Sequence, residues 1–193
     1  MLARRRKQSL EMIYPLLTPR LSIEPLKLSD LQAFVSYRQD PEIARFQSWD
    51  TTYSTDQAVE LINSQAGILL PPPGQWLQLA IRERVSGQLI GDLALHLLNE
   101  ADSVYEIGFT LAIQQQGKGY AREATKKLIG LLFSDVAARK IVANTDRRNT
   151  ASIRLLQDLG FVFQPSKSFI ETFKNETVTV DYFELLSSVV TEP

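Results

Sequence analysis

Apolar and polar positions along this chain follow two periods, and each change of period marks an element. Between 17 and 26, Leu21 and Ile23 alternate with Ser22 and Glu24, which predicts a first strand. Ser29 or Asp30 is placed to cap a helix that runs to Arg38. The stretch 40–55 is polar and aromatic, carries Phe46, Trp49, Asp50 and Tyr53, and is more irregular than its neighbours. Ser54, Thr55 or Asp56 opens a second helix that reaches Gln65. PPPG at 71–74 is the sharpest break and reads as a surface loop. Residues 75–83 and 88–98 form a hairpin around Val85, Ser86 and Gly87, and 99–103 turn the chain into a strand over 104–113. Tyr105, Ile107, Phe109 and Leu111 share one face of that strand. After a loop at 114–119, Ala121, Ala124, Leu128, Leu131 and Val136 recur at helical spacing, opposite Arg122, Glu123, Lys126 and Lys127. Residues 140–145 read as a buried strand. Asn149 caps a helix carrying Ile153, Leu156 and Leu159, and Gly160 stops it. Residues 161–164 and 176–186 complete a final antiparallel pair.

The order is therefore β-α-α-β-β-β-α-β-α-β-β. Consecutive strands with interspersed helices argue an α+β fold rather than a doubly wound parallel sheet. A chain of 193 residues without internal repeats makes one domain, here 15–193, the default. Residues 1–14 carry Arg4, Arg5, Arg6 and Lys7 and read as a basic, solvated terminus. The apolar stretch behind them meets Pro15 too soon for a signal peptide, and no run is long enough for a membrane span. A cytoplasmic protein is the simplest inference. The net charge of −1 gives no reason to expect nucleic acid. The absence of cysteine excludes disulfides, zinc thiolates and thiol nucleophiles, and one histidine, His96, excludes a multi-histidine metal site. No metal is expected.

The loop at 114–119 is where the chemistry concentrates. The first N–H groups of a helix lack internal partners, and the helix dipole adds positive charge there. Gly117 and Gly119 let a phosphate approach that backbone unobstructed. A plain strand-to-helix turn is the competing reading. The spacing is not that of a Walker A loop, and a GxGxxG motif would need a glycine where Arg122 stands.

Gln114, Gly117 and Gly119 match the Gln/Arg-x-x-Gly-x-Gly/Ala motif, so the stretch resembles the pyrophosphate loop of the GNAT superfamily of N-acetyltransferases. The continuation GKGYAREA at 117–124 is similar to the branch that acetylates N-terminal amines of ribosomal proteins, as is NTASIRLLQDLGF at 149–161. The resemblance implies a GNAT-like fold, a mixed, mostly antiparallel sheet of about seven strands flanked by helices. It also implies acetyl-CoA as co-substrate and an amine as acceptor. The acceptor would be a protein or peptide N-terminus, with a polyamine or aminoglycoside as the alternative. A homodimer stays open. A non-catalytic acyl-CoA-binding module and a nucleotide-phosphate binder are the rival classes.

The same resemblance distributes roles. Backbone N–H groups of Gln116, Gly117, Lys118, Gly119, Tyr120 and Ala121 would grip the pyrophosphate. Phe109, Thr110 and Leu111 would pair with the pantetheine arm where the central strand splays from its neighbour. Asn149 would reach the thiol end, and Lys118, Arg122 and Lys126 are candidates for the 3′-phosphate. Glu106 is the first candidate for the base, because a carboxylate among apolar strand residues is costly unless paired or useful. Asp92, Asp181 and His96 are weaker candidates. Many members carry a tyrosine seven residues after the asparagine, where this chain has Leu156. Ser152, one helical turn from Asn149, is the substitute donor for the leaving thiolate, ahead of Tyr120 and Tyr182. Phe46, Trp49, Tyr53, Asp50 and Asp181 are candidates to line the acceptor pocket.

Overall fold

The computed structural model describes residues 14–187. The basic segment, apart from Tyr14, lies outside them. In chain order the elements are β1 (Leu16–Leu17), β2 (Leu21–Pro25), α1 (Leu31–Arg38), α2 (Pro41–Ala44), α3 (Thr55–Ser64), β3 (Trp76–Glu83), β4 (Leu89–Asn99), β5 (Val104–Leu111), α4 (Tyr120–Ser134), β6 (Lys140–Asp146), α5 (Thr150–Asp158), β7 (Val162–Phe163), β8 (Phe169–Phe173) and β9 (Glu176–Leu186). The expected α+β order holds. It gains the short β1 and α2, and β8 takes most of the pairing expected of 161–164.

The strands form one sheet in the order β1-β2-β3-β4-β5-β6-β9-β7, with β8 also on β9. All pairs are antiparallel except β5 with β6, which α4 connects as a crossover. Tyr105, Ile107 and Leu111 share a face, as their alternation predicts, and pack with Leu128, Ile129 and Leu132 of α4. Leu156 of α5 joins the same core. On the other face, Phe34 and Tyr37 of α1, Ile43 of α2, and Ala58 and Ile62 of α3 cover Ala80 and Leu89.

Two features position the site. β5 pairs with β6 only from Val104↔Lys140 to Glu106↔Val142. Beyond that, 107–111 stay on β4 while 143–146 stay on β9, so the sheet parts into a fork. The second feature is Gly91, opposite Leu111. A Cβ there would stand 2.2 Å from the Thr110 carbonyl oxygen and 2.9 Å from Leu111 Cα. Both are backbone atoms that yield only if the strand end moves. Gly91→Ala is expected to cost roughly 1–3 kcal/mol, the usual range for overpacking. Urea denaturation measures it, and a wild-type midpoint would show that the end of β5 is not held by this contact.

Candidate active site

Glu106 is the last residue of β5 paired with β6, so its side chain stands at the apex of the fork. Asn144 Nδ2 donates to its Oε1 at 2.9 Å, and His96 Nδ1 lies 3.4 Å from its Oε2. No lysine or arginine pairs with it among the described residues. Asn144 interrupts the apolar run of β6, a signal the sequence carried but the alternation did not flag.

The glycine loop forms a cradle of backbone N–H groups. Gly117 and Gly119 have φ of 73° and 80°, in the left-handed region that glycine enters freely. The N–H groups from Gly117 to Arg122 meet no acceptor among the described residues. The next one, Glu123 N–H, donates to the Gly119 carbonyl. Gln116 departs from its expected role. Its N–H donates to the Ile113 carbonyl, while its side chain donates to the Leu111 carbonyl at 3.1 Å and ties the loop to the end of β5. Open space lies where a Cβ of Gly117 would stand. Successive free N–H groups at a helix start fit a pyrophosphate. Arg20 clamps this loop: its guanidinium donates to the Lys118 carbonyl at 2.9 Å, lies 4.5 Å from the centre of the Tyr120 ring, and bonds Glu123 at 2.6 Å. Lys118 Nζ turns to Gln115, and Tyr120 Oη reaches Glu83 on β3. Tyr120 Oη is thus committed away from the fork.

On the far side of the fork, Asn149 caps α5. Its side-chain oxygen accepts from Ser152 N–H at 3.2 Å, which leaves its amide nitrogen as a donor. Asn149, Ser152 and Leu156 line one cavity with Glu106, 107–109 and 143–146. The Ser152 hydroxyl makes no hydrogen bond to another described residue. The cavity measures about 330 Å³ and is also lined by Phe46 and Gln47 and by Phe169, Glu171 and Phe173 of β8. Burial raises the Tyr182 phenol, and the nearby Glu184 and Glu106 carboxylates add to the effect against Lys167. Tyr182 is not among the residues lining the cavity.

Four of the expected acceptor residues, Asp181, Trp49, Tyr53 and Asp50, do not line this cavity. Asp181 alternates with Val180 and Tyr182, so it faces away, and Arg147 holds it at 2.7 Å. Trp49 and Tyr53 stack around the buried Arg38 guanidinium, whose carbon lies 3.7 Å and 4.9 Å from their ring centres. Arg38 sits 3.7 Å from Asp92, which also accepts from Tyr37 Oη at 2.5 Å. Burial raises the Asp92 carboxyl despite both partners. This is a structural cluster, in which rings and one carboxylate compensate a buried cation. Asp50 instead meets Lys174 at 3.0 Å. Lys174 Nζ also donates to the carbonyls of Ala44 and Trp49 at 2.7 Å and 2.6 Å. It fastens the β8–β9 turn to 44–50, and so joins two walls of the cavity. Among the described residues no group of three or more His, Cys, Asp or Glu side chains could hold a metal ion, and no helix is long and apolar enough to cross a membrane.

Fold, fork and cradle together are those of an acyl transferase. The family described as "Acetyltransferase (GNAT) domain" matches residues 20–162, and the chain belongs to it. It is 29% identical over 171 residues to the "Uncharacterized N-acetyltransferase p20" of Bacillus licheniformis, covering 89% of this chain and 95% of that one. The crystal structure of a GNAT-family acetyltransferase from Bacillus anthracis superposes with a TM-score of 0.79 at 20% identity, covering 89% of this chain and 98% of the other. Spermidine N-acetyltransferase from Vibrio cholerae, in complex with CoA and spermine, superposes at 0.76 with 21% identity, covering 89% and 98%. The chain is an acetyl-CoA-dependent N-acetyltransferase, and the readings as a non-catalytic module or a nucleotide binder give way to this.

The Arg20 clamp has a pH signature. Burial alone would raise the Glu123 carboxyl. The Thr18 hydroxyl, the Arg20 N–H and the Arg20 guanidinium outweigh it and hold the group below its ordinary value of 4.5. A lowered folded-state value means the unfolded chain takes up the proton first as pH falls. The stabilisation is therefore full above about 4.5 and is lost as pH falls through the folded value. The stability gap between wild type and Glu123→Gln should be flat near neutrality and close below that point in denaturation series. Arg20→Ala should weaken acetyl-CoA binding by about tenfold in calorimetry, the equivalent of about 1.4 kcal/mol.

Proposed function

We propose that this enzyme transfers the acetyl group directly, in a ternary complex, to the N-terminal amine of a protein or peptide, with Glu106 as the base. The observation that carries the reading is the fork: it places Glu106 at the apex, held by two side chains that are neither lysine nor arginine, within the cavity lined by Asn149 and Ser152.

The roles follow from the geometry. The N–H groups from Gly117 to Arg122 hold the pyrophosphate of acetyl-CoA. Along 107–111, the backbone groups that point away from β4 have lost β6 as a partner. They pair with the pantetheine arm and offer an N–H to the developing oxyanion. Glu106 takes a proton from the ammonium, directly or through a water, and the freed nitrogen attacks the thioester carbonyl. The C–N bond forms, the C–S bond breaks, and the thiolate leaves beside Asn149 and Ser152, the hydroxyl of which supplies a proton or a hydrogen bond. Phe46 takes part in the acceptor wall.

An extended acceptor is supported by β8, which among the described residues pairs only with β9 and so leaves its outer edge available beside the cavity. A specific observation also favours a small polycation. Of the carboxylates in the cavity lining, Glu106 is engaged by Asn144 and His96, and Asp146 by Arg148, whereas Glu171 has no ion pair among the described residues. Peptides and polyamines are separated by an acceptor panel read through thiol release.

Glu106→Gln should lower kcat by about 100-fold or more while acetyl-CoA binding stays at the wild-type level. Unchanged turnover of every accepted amine would remove Glu106 from the mechanism. Lys174→Met should raise the acceptor KM about tenfold, the loss expected from an unfastened wall, with the acetyl-CoA affinity unchanged. Equal loss for both substrates in steady-state kinetics would count against a role confined to the acceptor side.

A further inference from the structure

His96 stands directly across from Glu106 on the neighbouring strand. The two side chains are 15% and 16% exposed, with Nδ1 and Oε2 at 3.4 Å. The imidazole is stacked on Trp76, with centroids 4.7 Å apart and planes 23° apart. Its Nε2 is sealed from solvent and has no hydrogen-bond partner among the described residues.

These facts select the tautomer. With the proton on Nε2, the ring would bury an N–H without an acceptor and turn the Nδ1 lone pair toward a carboxylate oxygen. An unmade buried hydrogen bond costs about 1–3 kcal/mol, and two facing acceptors repel. With the proton on Nδ1, the N–H faces a carboxylate acceptor at the long end of the hydrogen-bond range, and only a lone pair is left unpartnered.

We propose that His96 is a positioning residue for the base, a neutral Nδ1–H donor braced by Trp76 that holds Glu106 Oε2 while Asn144 holds Oε1. The proposal rests on the reading of Glu106 as the base. A lysine or arginine would hold the carboxylate as firmly. Its charge would also favour the ionised form and so weaken the carboxylate as a proton acceptor. A neutral donor orients it with less of that loss. The proton taken from the ammonium ends on Glu106, and none passes to the ring. Among the described residues no lysine or arginine pairs with Glu106 directly, and the nearby lysines are engaged by Glu184. β3 presents Trp76, β6 presents Asn144, and β9 presents Tyr182 and Glu184, the latter held by Lys167 at 2.6 Å and Lys140 at 4.0 Å.

The chain has one histidine, so its imidazole nitrogen resonances are free of overlap. Nitrogen-15 spectra of the native protein at neutral pH should show the Nδ1–H tautomer. The Nε2–H tautomer or an imidazolium overturns the proposal. In kinetics, His96→Phe keeps a ring on Trp76 but removes the donor. It should lower kcat about tenfold and move the acidic limb of the kcat profile to higher pH, with acetyl-CoA binding unchanged. His96→Asn keeps a neutral donor and should recover most of both. The double variant with Glu106→Gln should be no slower than Glu106→Gln alone. A wild-type profile for His96→Phe beside an impaired Glu106→Gln sinks the His96 role only. Full activity in Glu106→Gln sinks the base assignment and this inference with it. Should His96→Phe fail to fold, the tautomer and His96→Asn still decide.

Discussion

The parting of β5 from β6 is the constraint on which the site depends. A buried strand edge is costly because each unpaired N–H or C=O forfeits a hydrogen bond. Here the edge persists because both strands are held elsewhere. β5 continues along β4 as far as Leu111, where only a glycine at 91 permits the approach. β6 continues along β9 to Asp146. Neither strand can close the gap without giving up pairs on its other side. The backbone groups facing the gap are thus available to a ligand that lies like a strand, which is the form of a pantetheine arm.

Charge is distributed around this gap with a consistent logic. Several carboxylates away from the apex are held by cations: Asp181 by Arg147, Asp146 by Arg148 and Glu123 by Arg20. Such partners stabilise the ionised form and make a carboxylate a poor base. Glu106 alone at the apex meets an amide and an imidazole. In the proposed mechanism the same side-chain type is structural in one setting and reactive in the other, and the difference lies in the partner.

The parts legible in the sequence are those carried by contiguous residues. The glycine loop, the Asn149 cap and the mid-strand Glu106 each follow from a local rule. The fork is not local, since it depends on what β5 and β6 each prefer on their outer sides. Trp49 and Tyr53 have the composition of an acceptor wall, yet Arg38, a cation buried in an apolar layer, captures both rings. Asp181 has the right charge, but alternation along β9 turns it to Arg147. β8 escaped notice because it is exposed along nearly all its length and ends in Lys174 and Asn175, with φ of 51° and 64°, where a tight hairpin usually has glycine.

The two halves of the site are built from different materials, and this has a consequence for specificity. In the proposed arrangement one side is the acceptor's and the other, the acetyl-CoA side, is mostly main chain: free N–H groups at the loop and an unpaired strand edge. Its geometry is set by two glycines and by the sheet, and tolerates little change. The acceptor side is side chains from segments more than a hundred positions apart, Phe46 and Gln47 on one wall and Phe169, Glu171 and Phe173 on the other. One lysine, bonded to two carbonyls and a carboxylate, joins those walls. The acceptor can therefore change with substitutions on either wall while the grip on acetyl-CoA and the aim of Glu106 stay intact. On this reading the identity of the amine is to be sought in the walls rather than in the loop.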